Sequence, residues 1–316
     1  TPACPVREKL QEEARASVAA ISGVEAVEVR MTASVRPMLG GKKEEFIPGV
    51  KNVIPVASGK GGVGKSTVSA NLALALAKTG ASVGLMDADV YGPSIPTIMG
   101  VRVEDGPQVL DNGNGSRIIP AERYGIKIIS MGFFMKQEEA VIWRGPMLHK
   151  MIHEFLGSVE WGELDYLVVD LPPGTGDVQL SLCQTVPLTG AAIVSTPQDV
   201  ALFVAQKAIA MFHKLNCPIL GLIENMSYYI CRHCGAREEI FGSGGVRRAC
   251  ERLDIPFLGE IPLATDIRTT SDAGRPIVIE DPESPLSQAF CTVAGHLAAQ
   301  ISIRNLTMYD LPLLAV

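Results

Sequence analysis

Four glycines and two lysines fall within the ten residues Ser58-Gly59-Lys60-Gly61-Gly62-Val63-Gly64-Lys65-Ser66-Thr67. The run fits G-x-x-x-x-G-K-S/T, with the apolar stretch Asn52–Ala57 before it and a helix-forming stretch after it. Glycines at Gly59, Gly61, Gly62 and Gly64 let backbone N–H groups, including that of Val63, converge on phosphate oxygens without Cβ clashes. The helix that opens at Lys65 adds the positive end of its dipole. Lys65 would reach the β- and γ-phosphates, Ser66 would ligate Mg²⁺, and Thr67 would contact the α-phosphate. The chemistry predicted for Gly59–Thr67 is therefore binding of ATP with Mg²⁺.

Carboxylates stand where such chemistry needs them. Strand Ser82–Met86 leads into Asp87-Ala88-Asp89, and strand Asp165–Asp170 leads into Asp170-Leu171-Pro172-Pro173-Gly174-Thr175-Gly176-Asp177. Acidic residues at the C-terminal ends of strands beside a phosphate loop can hold Mg²⁺ and orient water. Asp170 is read as holding Mg²⁺ through water, Asp89 as orienting the attacking water, and Asp87 as supporting the metal. Gly174, Gly176 and Asp177 are read as a switch sensitive to the γ-phosphate.

Cys231-Arg232-His233-Cys234 is the one closely spaced thiol pair among seven cysteines. One C-x-x-C supplies two thiolates, whereas a stable zinc or iron–sulfur site usually takes four. Two copies meeting across a twofold axis would complete a Cys₄ cage for a [4Fe-4S] cluster or one Zn²⁺. A redox dithiol and an inert pair stay open as alternatives. His233 is expected to be exposed, and Cys183, Cys217 and Cys250 read as small core hydrophobes.

These groups need a frame. From Asn52 onward, short apolar runs alternate with amphipathic stretches. Strands are predicted at Asn52–Ala57, Ser82–Met86, Asp165–Asp170, Ala191–Thr196, Ile219–Glu224 and Phe257–Ile261. Helices are predicted at Lys65–Lys78, Val178–Thr185, Val200–Leu215, Gly244–Leu253 and Pro285–Ile303, with Asp199 as an N-cap and Gly80 as a C′ residue. The pattern implies an α/β fold with a doubly wound, mostly parallel sheet of P-loop NTPase type. Ahead of it, Val6, Leu10, Ala14, Val18 and Ile21 recur at helical spacing, and Val27, Val29 and Met31 alternate as in a strand. The expected organisation is a partial N-terminal segment at 1–35, a linker at 36–49, the nucleotide domain at 50–305 and a tail at 306–316.

With 47% hydrophobic residues, the 316-residue chain can bury a large core. Its net charge of −6 provides no global basic field, so neither a nucleic acid nor an anionic membrane is an expected partner. The odd cysteine count and wide spacing argue against a secreted disulfide framework and for a reducing, cytoplasmic setting.

The second loop lysine, Lys60, together with Asp87–Pro96 (DADVYGPSIP), Trp143–Met147 (WRGPM), Asp170–Asp177 (DLPPGTGD) and Asn225–Gly235 (NMSYYICRHCG), resembles the Mrp/ApbC family of iron–sulfur carrier ATPases. That family falls in the deviant, two-lysine Walker group that includes ParA/MinD proteins. The resemblance covers roughly Val50–Gln300. It implies a homodimer holding a labile [4Fe-4S] cluster through Cys231 and Cys234. It also implies slow ATP hydrolysis and delivery of the cluster to apo iron–sulfur proteins, with cluster-assembly factors as further partners. By the same likeness, Lys60 reaches the partner subunit's phosphates like an arginine finger, and Asn225 and Pro262 line the adenine pocket. Thr1–Pro5 is similar to a cysteine-containing turn of a small iron–sulfur-assembly domain, in which Cys4 assists cluster handling or is a bystander thiol. The rival functions are a positioning ATPase of the MinD/ParA class and a zinc-stapled nucleotide-binding dimer.

Overall fold

The computed structural model describes residues 1–4, 6–38, 46–111, 116–135, 145–231 and 233–310. The charged run Lys42–Glu45, Trp143 and Arg144, Arg232 and residues 311–316 lie outside the described residues.

Strand β1 (Val50–Ser58) is buried along almost its whole length because it runs through the middle of the sheet and is covered on both faces. It pairs in parallel with β7 (Leu164–Asp170) on one side and β8 (Ala191–Ser195) on the other. Beyond β7 come β2 (Val83–Asp87) and β6 (Ile126–Ser130), both parallel, and then the antiparallel edge strand β5 (Ala121–Arg123). Beyond β8 comes β9 (Ile219–Ile230), flanked by parallel β11 (Phe257–Leu263) and by the short antiparallel β10 (Arg237–Glu238). A separate hairpin joins β3 (Gln108–Asp111) to β4 (Ser116–Ile119).

Helices cover both faces, as the alternating pattern predicts. Helix α2 (Lys65–Lys78) is buried all round from Val68 to Leu76, which explains an apolar sequence with little amphipathic asymmetry. With α10 (Pro285–Asp310) it closes one core layer. Helices α4 (Gly145–Gly157), α5 (Asp177–Thr185), α6 (Asp199–Lys214) and α7 (Gly245–Leu253) close the other. Burying a leucine such as Leu72 or Leu182 in these layers contributes about 2 kcal/mol. Three short helices complete the set: α3 (Ile95–Met99), α8 (Thr265–Asp272) and α9 (Ile277–Glu280).

Several expectations need correction. Residues 24–38 form no strand, so the predicted Val27–Met31 strand is absent. Its alternation has no neighbouring strand to pair with, and the Val29 carbonyl instead accepts from Gln11 Nε2 at 3.3 Å. Helix α1 (Arg7–Ala19) does form, with Leu10 and Val18 exposed. Asp199 is the first helical residue of α6, and Gln198 holds the N-cap position. Gly80 sits at φ +92° just past α2, as a C′ glycine should. The last helix runs to Asp310, so a boundary at residue 305 falls inside it. Asn305 there is buried and donates to the Arg36 carbonyl and to Asn52, which pins the helix to the base of the sheet.

Candidate functional site

Parallel strands that end at the same level bring β1, β2 and β7 to one rim. The phosphate loop leaves β1 there, Asp87 closes β2 and Asp170 closes β7. Two glycines in the loop are dictated by geometry. A Cβ on Gly59 would lie 2.4 Å from the Val204 backbone carbon and 2.5 Å from the Ala205 nitrogen, so the loop rests on the backbone of α6. Gly64 holds φ +79° at the N-cap of α2, and a Cβ there would lie 2.3 Å from Asn225 Nδ2.

Asp170 is fully buried and gathers three donors. Lys65 Nζ lies 2.8 Å and Ser69 Oγ 2.6 Å from Oδ1, and Ser66 Oγ lies 2.6 Å from Oδ2. Lys65 Nζ is also 3.6 Å from Asp89 Oδ2. The other Asp89 oxygen, Oδ1, is buried without a hydrogen-bond partner among the described residues. Burial raises the Asp89 pKa; Lys65 opposes the shift and Asp170 adds to it.

Asp87 has both oxygens engaged. Oδ1 accepts from the Asp89 backbone N–H at 3.1 Å, and Oδ2 accepts from the Ile95 N–H at 3.2 Å and Ser130 Oγ at 2.8 Å. Burial, reinforced by the Asp170 charge, pushes its pKa up to about 7 against these hydrogen bonds. Asp87 thus anchors the loop that carries Asp89 to the start of α3.

Lys65 alone pairs with both Asp170 and Asp89, and Asp87 is buried close to Asp170, so the ionised group carries an excess of negative charge. Burying such an excess is costly unless a cation neutralises it. A divalent ion fits that deficit, the hard oxygen donors suit Mg²⁺, and the orphaned Asp89 oxygen offers a place for a metal-bound water. A triphosphate would compete with Asp170 and Asp89 for Lys65. When bound, Mg²⁺ would neutralise phosphate charge; Ser66 and Asp170 are the residues placed to hold it.

The loop opens into a cleft of about 580 Å³. Gly61, Gly62, Thr67, Asn225 and Pro262 line it. Asn225 Nδ2 donates to the Val63 carbonyl at 2.8 Å, so it braces the loop from β9. Lys60 also lines the cleft, and its Nζ lies 3.5 Å from Gln198 Oε1, at the head of α6. In the segment expected to act as a switch, Gln179 accepts from Gly176 N–H and donates to the carbonyls of Pro172 and Gly174, closing the loop on itself. Gly174 N–H in turn donates to the Ser58 carbonyl at 2.9 Å.

The thiols sit apart from this cleft. Strand β9 continues past the predicted Glu224 to Ile230, and Cys231 follows it directly. Cys231 N–H donates to the Ala236 carbonyl, and Gly235 N–H to the Cys231 carbonyl, so the pair rides a tight turn between β9 and β10. Cys231 is partly exposed and Cys234 exposed, and His233 is exposed as expected. N–H groups of Cys234 and His233 aimed at its sulfur lower the Cys231 pKa. Among the described residues, no group of three His, Cys, Asp or Glu side chains is arranged to hold a metal.

Sequence reasoning missed Ser69, Ser130, Gln179 and Gln198. Ser69 carried a signal, since it falls on the helix face of Lys65 and Ser66. Gln179 did also, standing three residues after Gly176 in capping-box spacing. Ser130 and Gln198 gave none, because tertiary approach alone brings them in.

Fold and site together define a P-loop NTPase of the two-lysine class. The profile of the NUBPL iron-transfer P-loop NTPases, within the ParA group, matches residues 49–298, and the chain belongs to that family. An iron–sulfur cluster carrier protein of Synechocystis is 46% identical over 97% of this chain and 87% of its own length. A nucleotide-binding protein of Archaeoglobus fulgidus, solved with ADP, is 41% identical, with a TM-score of 0.66 over 79% of this chain and 96% of its own. The cell-division ATPase MinD of Pyrococcus furiosus shares the fold at 22% identity, with a TM-score of 0.57 over 78% of this chain and 98% of its own.

Proposed function

We propose that the chain is an ATP-hydrolysing carrier that holds a [4Fe-4S] cluster between two copies of itself and passes it to apo iron–sulfur proteins. The observation that carries this reading is the C-x-x-C turn. It presents two accessible thiols, one with a lowered pKa, and no third ligand beside them among the described residues. A cluster needs about four thiolates, and a twofold axis through the turn supplies the other two. The names of relatives such as the Synechocystis carrier support the same cargo. A zinc-stapled dimer would use the same four thiols and is separated by metal content. Among the described residues, no helix is long and apolar enough to cross a bilayer.

In this reading Lys65 binds the β- and γ-phosphates and Ser66 and Asp170 hold Mg²⁺. Asp89, with one oxygen free, orients the attacking water, and Lys60 crosses to the partner's triphosphate. Strand β9 connects the two chemistries. Asn225 braces the phosphate loop, and Cys231, six residues further on, directly follows the end of the same strand.

The test is anaerobic reconstitution followed by iron and sulfide quantification. Wild type should bind about four irons per two chains. Cys231→Ala and Cys234→Ala should each lose the iron and keep ATP affinity. Retention of iron by either variant, or uptake of zinc alone by wild type, would overturn the reading.

A further inference from the structure

The donors around Asp170 divide its two oxygens unequally. Lys65 Nζ and Ser69 Oγ lie 2.8 Å and 2.6 Å from Oδ1, whereas Ser66 Oγ lies 2.6 Å from Oδ2. All three donors come from the opening of α2. Ser69 follows Lys65 by four positions and so shares its face of the helix, one turn further along. One end of one helix therefore closes round one carboxylate.

Lys65 and Ser66 both line the cleft, where a ligand can call on them. Ser69 lies behind them, fully buried and away from the cleft walls. Its single proton has two acceptors in reach, Asp170 Oδ1 at 2.6 Å and the Lys65 carbonyl at 3.0 Å. The carboxylate is nearer and charged, so it takes the proton. On the reading proposed above, a triphosphate draws Lys65 to itself and Mg²⁺ draws Ser66. Asp170 is then left with Ser69 as its side-chain donor among the described residues. The last torsion of an aspartate is broad, so packing alone fixes the plane of its carboxylate poorly. A hydrogen bond held on one oxygen fixes it well.

We propose that Ser69 is the positioning residue of the metal site: it keeps hold of Asp170 by Oδ1 once Lys65 and Ser66 have turned to the ligand, and so reserves Oδ2 for the ion's side. This inference rests on the assignment of Ser66 and Asp170 to Mg²⁺. Ser69 touches neither nucleotide nor ion and acts only through Asp170. The two serines thus divide the work, with Ser66 exchanging its carboxylate oxygen for the ligand and Ser69 keeping its own. Residues that orient a metal-holding group from behind typically change metal affinity about 10–100-fold when removed. Loss of the Ser69 hydroxyl should therefore weaken what the ion adds to nucleotide binding and spare the phosphate contacts of Lys65 and the loop N–H groups.

The experiment titrates the full chain with a non-hydrolysable ATP analogue, once with Mg²⁺ and once with a chelator. The ratio of the two affinities measures what the ion adds. Ser69→Ala should lower that ratio about tenfold, with the metal-free affinity changed by less than about twofold. The Mg²⁺ concentration for half-maximal ATP turnover should rise by a similar factor, about tenfold. Ser66→Ala and Asp170→Asn serve as references and should each abolish the ratio. Should Ser69→Ala fold poorly by its urea midpoint, Ser69→Cys keeps the side chain's place with a weak donor and should also lower the ratio. A wild-type ratio in the Ser69 variants, with both references defective, would overturn the positioning role and leave the metal assignment standing. Equal loss of metal-free and metal-bound affinity would also overturn it, since that marks a general disturbance of the loop. Unchanged ratios in the references would sink the metal assignment itself, and the role of Ser69 with it.

Discussion

Lys60 and Lys65 stand five positions apart in one loop, and the structure gives them opposite surroundings. Lys65 is buried between Asp170 and Asp89, whereas Lys60 Nζ lies by a side-chain amide at the head of α6, with no carboxylate partner among the described residues. A group that serves the transition state from across an interface should affect turnover more than binding. Lys60→Ala is therefore expected to lower kcat by about 10²-fold, with ATP affinity changed by little. Stopped turnover with equilibrium titration checks this, and equal losses in both would place Lys60 in its own subunit's site. Asp87 allows a second test at this scale. Its carboxyl moves from 3.8 to about 7 on folding, so between those values the folded chain binds more protons than the unfolded one. The stability from that proton is fully present below about pH 4 and is lost as pH rises through about 7. Urea unfolding of the nucleotide-free protein should show wild type losing stability relative to Asp87→Asn across that window. Parallel pH profiles for the two proteins would refute the assignment.

At the scale of elements, the parts of the molecule that bury both faces were the ones legible beforehand. The nearly continuous apolar runs at Asn52–Ala57 and Asp165–Asp170 were read as strands, which the structure extends to Val50–Ser58 and Leu164–Asp170, and the end of the second located Asp170. The region 95–157 was not legible, because α3, the β3–β4 hairpin, β5 and the amphipathic α4 are short or carry mixed patterns set by tertiary contacts. The same limit applied to β9, whose second half has intermediate burial and gains its strand form by pairing with β10 and β11. Glu224 shows what such an element demands. It is buried, accepts from Ser227 Oγ at 2.6 Å and accepts the Val246 N–H at 2.8 Å, so it caps α7 from within the sheet. Glu224→Ala would orphan the Val246 N–H and leave Ser227 Oγ only Glu260 at 3.3 Å, and should cost about 2 kcal/mol, whereas Glu224→Gln, which keeps an acceptor, should cost less. Chemical denaturation midpoints decide between them, and equal destabilisation would show that cavity formation rather than capping dominates.

For the whole molecule, the question is whether one chain is a complete machine. Its thiol pair is two ligands short of a cluster site among the described residues, and its Lys60 Nζ is hydrogen-bonded to Gln198 while Lys65 takes the contacts to Asp89 and Asp170. In the proposed dimer one operation would complete the cluster site and bring each Lys60 to the partner's triphosphate: a twofold axis that sets two copies face to face. Mixing two inactive variants tests that operation directly. Lys65→Ala removes the lysine that binds the phosphates of its own subunit but leaves Lys60 intact. Lys60→Ala leaves the phosphate loop able to bind but removes the group sent across. A mixed dimer would contain one complete site, built from the Lys65 of one chain and the Lys60 of the other. With random pairing, about half of the dimers are mixed and each has one site of two, so an equimolar mixture should recover about a quarter of wild-type turnover. Recovery should appear only after the subunits have had time to exchange and should fall on dilution below the dimer dissociation constant. A mixture that stays as inactive as its components would mean that each lysine acts within its own chain, and the shared-site geometry would then fail for the triphosphate.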